Sequence, residues 1–138
     1  MEYSISSDRT QLDLNVIHDF LSNRSYWAQG RSLEEVQTSM EQSICFGLCD
    51  RQGGTVGFAR VLTDRLVIAC LLDVFILESH QGQGLGSYLV NYVLNEAGIE
   101  VKTWILRTAD AHSFYEKFGF ERLNSDEIYM IRGEYSLT

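Results

Sequence analysis

Apolar side chains crowd Leu66 to Leu77, where only Asp73 interrupts a run of aliphatic, aromatic and cysteine residues. A run this short and rich in β-branched residues predicts a central strand buried on both faces. The pattern then changes period. Leu85, Leu89 and Val93 recur at spacing four with Val90, Leu94 and Ala97 beside them, and Gly98 follows. That predicts an amphipathic helix closed by a left-handed glycine.

The remaining pattern fills in around this pair. Glu2–Ser7 alternates as a first strand, and Thr10 and Asp13 open a helix through Leu12, Val16, Ile17, Phe20 and Leu21. Ser32-Leu-Glu-Glu35 reads as a capping box, opening a helix with Leu33, Val36, Met40 and Ile44 inward. Cys45–Arg51 and Val56–Thr63 form antiparallel strands about the turn Gln52-Gly-Gly-Thr55, and Asp64-Arg65 turns into the central strand. Val101–Arg107 is expected parallel to that strand, because a helix joins them. Asp110 is placed to cap a short helix carrying Ala111, Phe114, Tyr115 and Phe118 and ended by Gly119. Phe120–Leu123 and Glu127–Arg132 are expected to close the chain as a hairpin. The order β-α-α-β-β-β-α-β-α-β-β predicts an α/β (α+β) fold with a mixed sheet, one domain over residues 1–138.

Between central strand and helix lies Gln81-Gly-Gln-Gly-Leu-Gly86. Its glycines let the backbone turn tightly and approach a ligand. The first-turn amides of the helix lack internal partners and lie at the positive end of its dipole. A strand running through such a turn into a helix is a phosphate or pyrophosphate cradle, and also simply a tight turn.

Charge and cysteine content narrow the partners. The formal net charge is −8, from 19 acids against 11 bases. That disfavours nucleic acid, whose binding draws on phosphate neutralisation, and suits an amine-bearing substrate. The three cysteines form no Cys-x-x-Cys pair and the histidines no cluster, so neither a disulfide framework nor a metal site is expected. Cys45 and Cys49 read as small core hydrophobes. No run of membrane length and no leader pattern is present, which predicts a cytoplasmic chain without a membrane partner.

Two motifs carry a family likeness. Gln81, Gly84 and Gly86 match a Gln/Arg-x-x-Gly-x-Gly/Ala pattern at a strand–helix junction, and Ala111, Tyr115, Gly119 and Phe120 match Ala-x-x-x-Tyr-x-x-x-Gly-Phe after the next strand. With the element order, they make the chain resemble the GNAT superfamily of acyl-CoA-dependent N-acetyltransferases. Ser25-Tyr-Trp27, Cys45-Phe-Gly47, Val56-Gly-Phe-Ala-Arg-Val61 and Asp73-Val-Phe75 are similar to a group of small bacterial members. The resemblance implies acetyl-CoA as co-substrate, with no metal. Amides of Gln81, Gly82, Gln83, Gly84, Leu85, Gly86 and Ser87 would hold the pyrophosphate. Backbone at Phe75, Ile76 and Leu77 would pair with the pantetheine arm, between parallel strands that splay apart, and polarise the thioester carbonyl. Departures from the pattern are Glu78 for proline, Gln81 for arginine, an uncharged Gln83, and Thr108 for an asparagine that touches pantetheine. A loop without a basic side chain implies weaker cofactor binding than in arginine-bearing relatives.

Acetyl transfer to an amine needs a neutral nucleophile, a polarised carbonyl and an acid for the leaving thiolate. Tyrosine, with a reference pKa of about 10, suits the last task, and the motif match puts Tyr115 there, with a cofactor contact. Asp73, alone among apolar residues, is a candidate base or amine anchor, or a structural acid supporting its strand; water relaying the proton is another route. Tyr26, Trp27 and Arg31 lie in the loop that walls the acceptor pocket in this architecture, where aromatics clasp amines. Arg60 is placed to bind a substrate carboxylate or pair with an acid. The expected activity is acetyl transfer to a primary amine of a small molecule by direct attack in a ternary complex, from a monomer or homodimer. A coenzyme A-binding sensor without turnover is the alternative. A dinucleotide-binding oxidoreductase fits less well, since antiparallel strands precede the glycine loop.

Overall fold

The apolar periodicities resolve into one five-stranded mixed sheet in a computed structural model that describes residues 2–123 and 129–134. Strands β1 (Ser4–Ser6), β2 (Ile44–Cys49), β3 (Thr55–Thr63) and β4 (Ile68–Ile76) pair antiparallel in chain order, and β5 (Thr103–Ile105) adds parallel to β4. Helices α1 (Leu14–Asp19) and α2 (Leu33–Glu41) precede β2, α3 (Leu85–Asn91) links β4 to β5, and α4 (His112–Glu116) follows.

Local chemistry sets the helix starts. The Asp13 carboxylate accepts from the Asn15 and Val16 amides and begins α1 there, so Thr10 and Leu12 lie outside the helix. Ser32 and Glu35 form the expected reciprocal capping box on α2. Both α1 and α3 loosen into a π turn, Phe20–Arg24 and Tyr92–Glu96 respectively. Gly98 follows the second with φ +78, the left-handed conformation that ends helices.

Two apolar layers cover the sheet. Ile17, Phe20, Val36 and Met40 pack with Cys45, Phe58 and Phe75 on one face. Leu89 and Val93 pack with Phe46, Ala59, Val61, Ala69 and Leu71 on the other. Phe20 stacks on Phe75 with ring centroids 4.1 Å apart, a geometry that adds about 1 kcal/mol to the burial itself.

One irregularity in β4 positions everything that follows. Phe58 pairs with Phe75 and Arg60 with Leu72, so Asp73 and Val74 together oppose Ala59 in a β-bulge. Asp73 takes φ +55, a left-handed conformation inside a strand. The bulge inverts the alternation. Ala69 and Leu71 face α3 before it, and Val74 and Ile76 do so after it. Asp73 and Phe75 therefore turn to the face of α1 and α2. The ladder to β5 stops at Cys70 and Ile105, and the two strands part there, as the resemblance implies.

Further expectations change, and Ile44, expected on the inner face of α2, opens β2. The first strand is confined to Ser4–Ser6 and the last parallel strand to Thr103–Ile105. Asp110 does not cap α4: the Thr108 hydroxyl accepts the Ala111 amide instead. Phe120–Leu123 and residues 129–132 are not strands, and residues 127–128 of the expected hairpin lie outside the described residues. No helix among the described residues is long and apolar enough to cross a membrane.

Candidate active site

The loop between α1 and α2 is built to be rigid. Buried Ser25 donates its hydroxyl to the Leu21 carbonyl and accepts from the Ala28 amide. The Gly30 amide donates to Ser22, and His18 Nε2 lies 3.1 Å from the Arg31 carbonyl. Trp27 and Arg31 leave this loop toward the sheet.

They meet Asp73. Its side chain is 2% exposed, and Oδ2 accepts from Arg31 Nη1 at 2.8 Å and Arg60 Nε at 2.9 Å. Oδ1 accepts from Trp27 Nε1 at 3.1 Å. Arg60 also donates to Ser43 Oγ at 3.0 Å. A left-handed non-glycine residue costs about 1–3 kcal/mol, and each hydrogen bond to a charged group contributes about 1.5–3 kcal/mol. Three such bonds outweigh the strain, so the bulge is held by its side chain. Both Asp73 oxygens are engaged in pairing and positioning, which fits an anchor better than a free base.

Above the two arginines opens a groove of about 580 Å³ along α2, lined by Arg31, Glu35, Ser39, Gln42 and Arg60 among others. On the other side of the bulge, β4 has no ladder partner on its β5 side beyond Cys70. Two of the backbone groups expected to hold an arm there are already used: Leu77 donates its amide to Val56, and the Ile76 carbonyl accepts Gln81 Nε2 at 2.8 Å. The open edge is therefore Leu71–Phe75.

The glycine loop adjoins this edge. Gly82 and Gly84 have φ +81 and +77, and a Cβ at either would project into open space. Gly84 brings no side chain to cap α3, so the first-turn amides of Leu85, Gly86 and Ser87 have no partner among the described residues. An anionic group fits this cradle on those terms. Gln81 and Gln83 fold back on the Ile76 and His80 carbonyls rather than reaching outward. They brace the loop.

Tyr115 packs against the apolar layer under α3, edge-on to Phe114 and Phe120 at centroid distances of 5.0 and 5.9 Å. Burial pushes its phenol up to about 12, and neighbouring Tyr26 and Asp110 add to this. Tyr26 accepts the Ala109 amide through its hydroxyl and lies edge-on to Trp27 at 5.1 Å. Tyr26 thus links Tyr115 to the Asp73 cluster through Trp27. The Thr108 hydroxyl is spent as an acceptor on the Asp110 and Ala111 amides.

The structure accordingly brings Tyr26, Trp27, Arg31, Arg60 and Asp73 together from three distant segments, with Tyr115 adjacent. Glu78 lies apart, paired with Arg24 at 3.1 Å on the surface. Sequence reasoning missed Ser25 and Ser43, whose roles are contacts with distant backbone and guanidinium groups. It also missed the pairing of the Tyr3 hydroxyl with His80 Nδ1 at 2.8 Å, which ties β1 to the glycine loop. Among the described residues no group of His, Cys, Asp and Glu side chains is placed to hold a metal.

Residues 41–122 match the family model of the acetyltransferase (GNAT) domain. A crystal structure from Xanthomonas campestris pv. campestris, provisionally described as a GNAT-family acetyltransferase, is 33% identical with a TM-score of 0.91. The match covers 97% of this chain and 94% of that one. A Gibberella zeae protein with a provisional acetyltransferase name is 28% identical over 96% of this chain and 90% of its own length. The glucosamine-6-phosphate N-acetyltransferase of Arabidopsis thaliana shares the fold, with 14% identity, a TM-score of 0.68 and coverage of 98% and 99%. These relatives are not confined to bacteria.

Proposed function

Since this chain belongs to the GNAT acetyltransferase family, we propose that it moves the acetyl group of acetyl-CoA to a primary amine of a small molecule, by direct attack in a ternary complex. The observation that carries this is the parting of β4 and β5 at Cys70 and Ile105, with the open glycine loop at one end and Tyr115 beside it.

Acetyl-CoA supplies the activated thioester carbonyl. The amides of Gly82–Ser87 hold its pyrophosphate, and the free edge Leu71–Phe75 pairs with its arm and polarises the carbonyl. The amine nitrogen, after losing its proton, attacks the carbonyl carbon. The carbon–sulfur bond breaks, and Tyr115 gives its proton to the departing sulfur. Asp73 is committed to Trp27, Arg31 and Arg60, so we assign the ammonium proton to water in the groove, with Asp73 as anchor of the acceptor wall. The Cys45 thiol is pushed up to about 11 by burial and keeps its proton near neutrality, in keeping with transfer without an acetyl-enzyme.

Calorimetric titration with acetyl-CoA, followed by thiol release in the presence of an amine library, tests the reading. Micromolar binding with amine-dependent release supports it. Absence of binding removes it, and binding without release by any amine favours a sensor.

A further inference from the structure

Two guanidinium groups share one buried carboxylate at the floor of the groove, and we propose that the surplus forms a carboxylate-binding subsite. The acceptor is then an amine that also carries a carboxylate, as an amino acid does. That the bound amine is an acetyl acceptor rests on the transferase reading above; the subsite does not.

Both guanidinium groups keep donors unspent. Arg31 commits Nη1 to Asp73, and Arg60 commits Nε to Asp73 and Nη1 to Ser43. Arg31 Nε and Nη2 and Arg60 Nη2 have no side-chain acceptor among the described residues. Yet the side chains are only 22% and 12% exposed, and both line the groove. Guanidinium donors this sheltered need an acceptor, and a planar carboxylate matches their fork in a bidentate way. Asp73 offsets one of the two charges from within, and Glu35, close enough to Arg31 to feel its charge, offsets part of the other from the solvent side; what is left suits a single carboxylate rather than a doubly charged phosphate.

The rim has the opposite sign. Glu34 and Glu35 line the groove from the first turn of α2, and Glu35 is held by the Ser32 amide. Those carboxylates face solvent, where salt screens them, whereas the arginines lie in the sheltered floor. A positive floor below a negative rim repels polyanions and accommodates a molecule bearing both ammonium and carboxylate.

The test compares short α- and ω-amino acids with their own amides, which keep length and amine but lose the carboxylate. Binding is read by calorimetry without acetyl-CoA, and thiol release with it. The expected result is an acid preferred over its amide by about tenfold or more, the effect of one charge-assisted pair. Arg31→Gln should abolish that preference and Arg31→Lys reduce it, with acetyl-CoA affinity unmoved. Acids and amides bound equally, no acid bound at all, or a preference that survives Arg31→Gln each overturns the subsite. Failure to bind acetyl-CoA strikes the transferase reading alone, because the acid-against-amide titration needs no donor.

Discussion

Trp27 donates its indole N–H to Oδ1 of Asp73 at 3.1 Å, across 46 residues of sequence. Through that bond the loop ahead of α2 is fastened to the bulge of β4, and the wall of the groove keeps its shape. Asp73→Asn keeps an acceptor for Trp27 and a side chain tolerant of positive φ, but leaves Arg31 and Arg60 without their counter-charge. Breaking a buried pair in this way should cost about 3 kcal/mol, read by urea denaturation. Asp73→Ala should cost more, because it adds strain at φ +55 to the loss of every bond. Amine KM should rise in Asp73→Asn while acetyl-CoA KM holds.

Tyr115→Phe tests the acid directly. No hydrogen bond of the phenol is found among the described residues, so folding stability should barely move. Removal of a general acid lowers kcat by about 10²–10⁴-fold, with acetyl-CoA affinity retained. A variant that turns over normally would return Tyr115 to the aromatic cluster with Phe114 and Phe120.

The same phenol predicts an alkaline transition. Its folded pKa of about 12 lies above the reference value of 10. The protonated form is favoured by folding, so its contribution is complete below pH 10 and fades as pH rises toward about 12. Circular dichroism across that window should show wild type losing structure earlier than Tyr115→Phe, which has no phenol to ionise there.

Gly84→Ala separates backbone shape from space. A Cβ there meets nothing within 4 Å, but φ is +77, so the strain is about 1–2 kcal/mol. The melting temperature should fall by only a few degrees, about what that strain implies. Acetyl-CoA binding should weaken by about tenfold or more, because the methyl projects into the cradle and the loop shifts.

Gln83→Arg adds the charge the loop lacks. Acetyl-CoA affinity should improve by about 3- to 10-fold at low salt, as one exposed phosphate contact allows. Titration at high salt should erase the gain. Gln81→Ala should instead weaken binding, since Gln81 braces the Ile76 carbonyl.

Much of this arrangement was legible from local chemistry. Ser32 and Glu35 announce α2 because both halves of the capping box lie within one turn. The β2–β3–β4 meander follows from largely apolar runs separated by turns at Gly53, Gly54 and Asp64. Asp64 stood out as a turn residue, and its carboxylate accepts three successive amides of Leu66, Val67 and Ile68. The bulge was not legible, because a single extra residue leaves no trace in a run that is apolar on both faces. Nor were the partners of Asp73, which arrive from residues 27, 31 and 60. Asp110 misled as a cap because α4 starts one residue later, with Ala111 as its uncapped N-cap residue, and the Thr108 hydroxyl holds the Asp110 and Ala111 amides in the preceding turn.

The bulge has a consequence for how this chain tolerates insertions and deletions. Side chains alternate with a period of two and the bulge absorbs one extra residue, so losing Asp73 would restore a regular strand in which Val74 opposes Ala59 and every later position keeps its face. Phe75 would keep its stack on Phe20, but Trp27, Arg31 and Arg60 would lose the carboxylate that joins them. A β4 one residue shorter is therefore compatible with the sheet and incompatible with the wall of the groove.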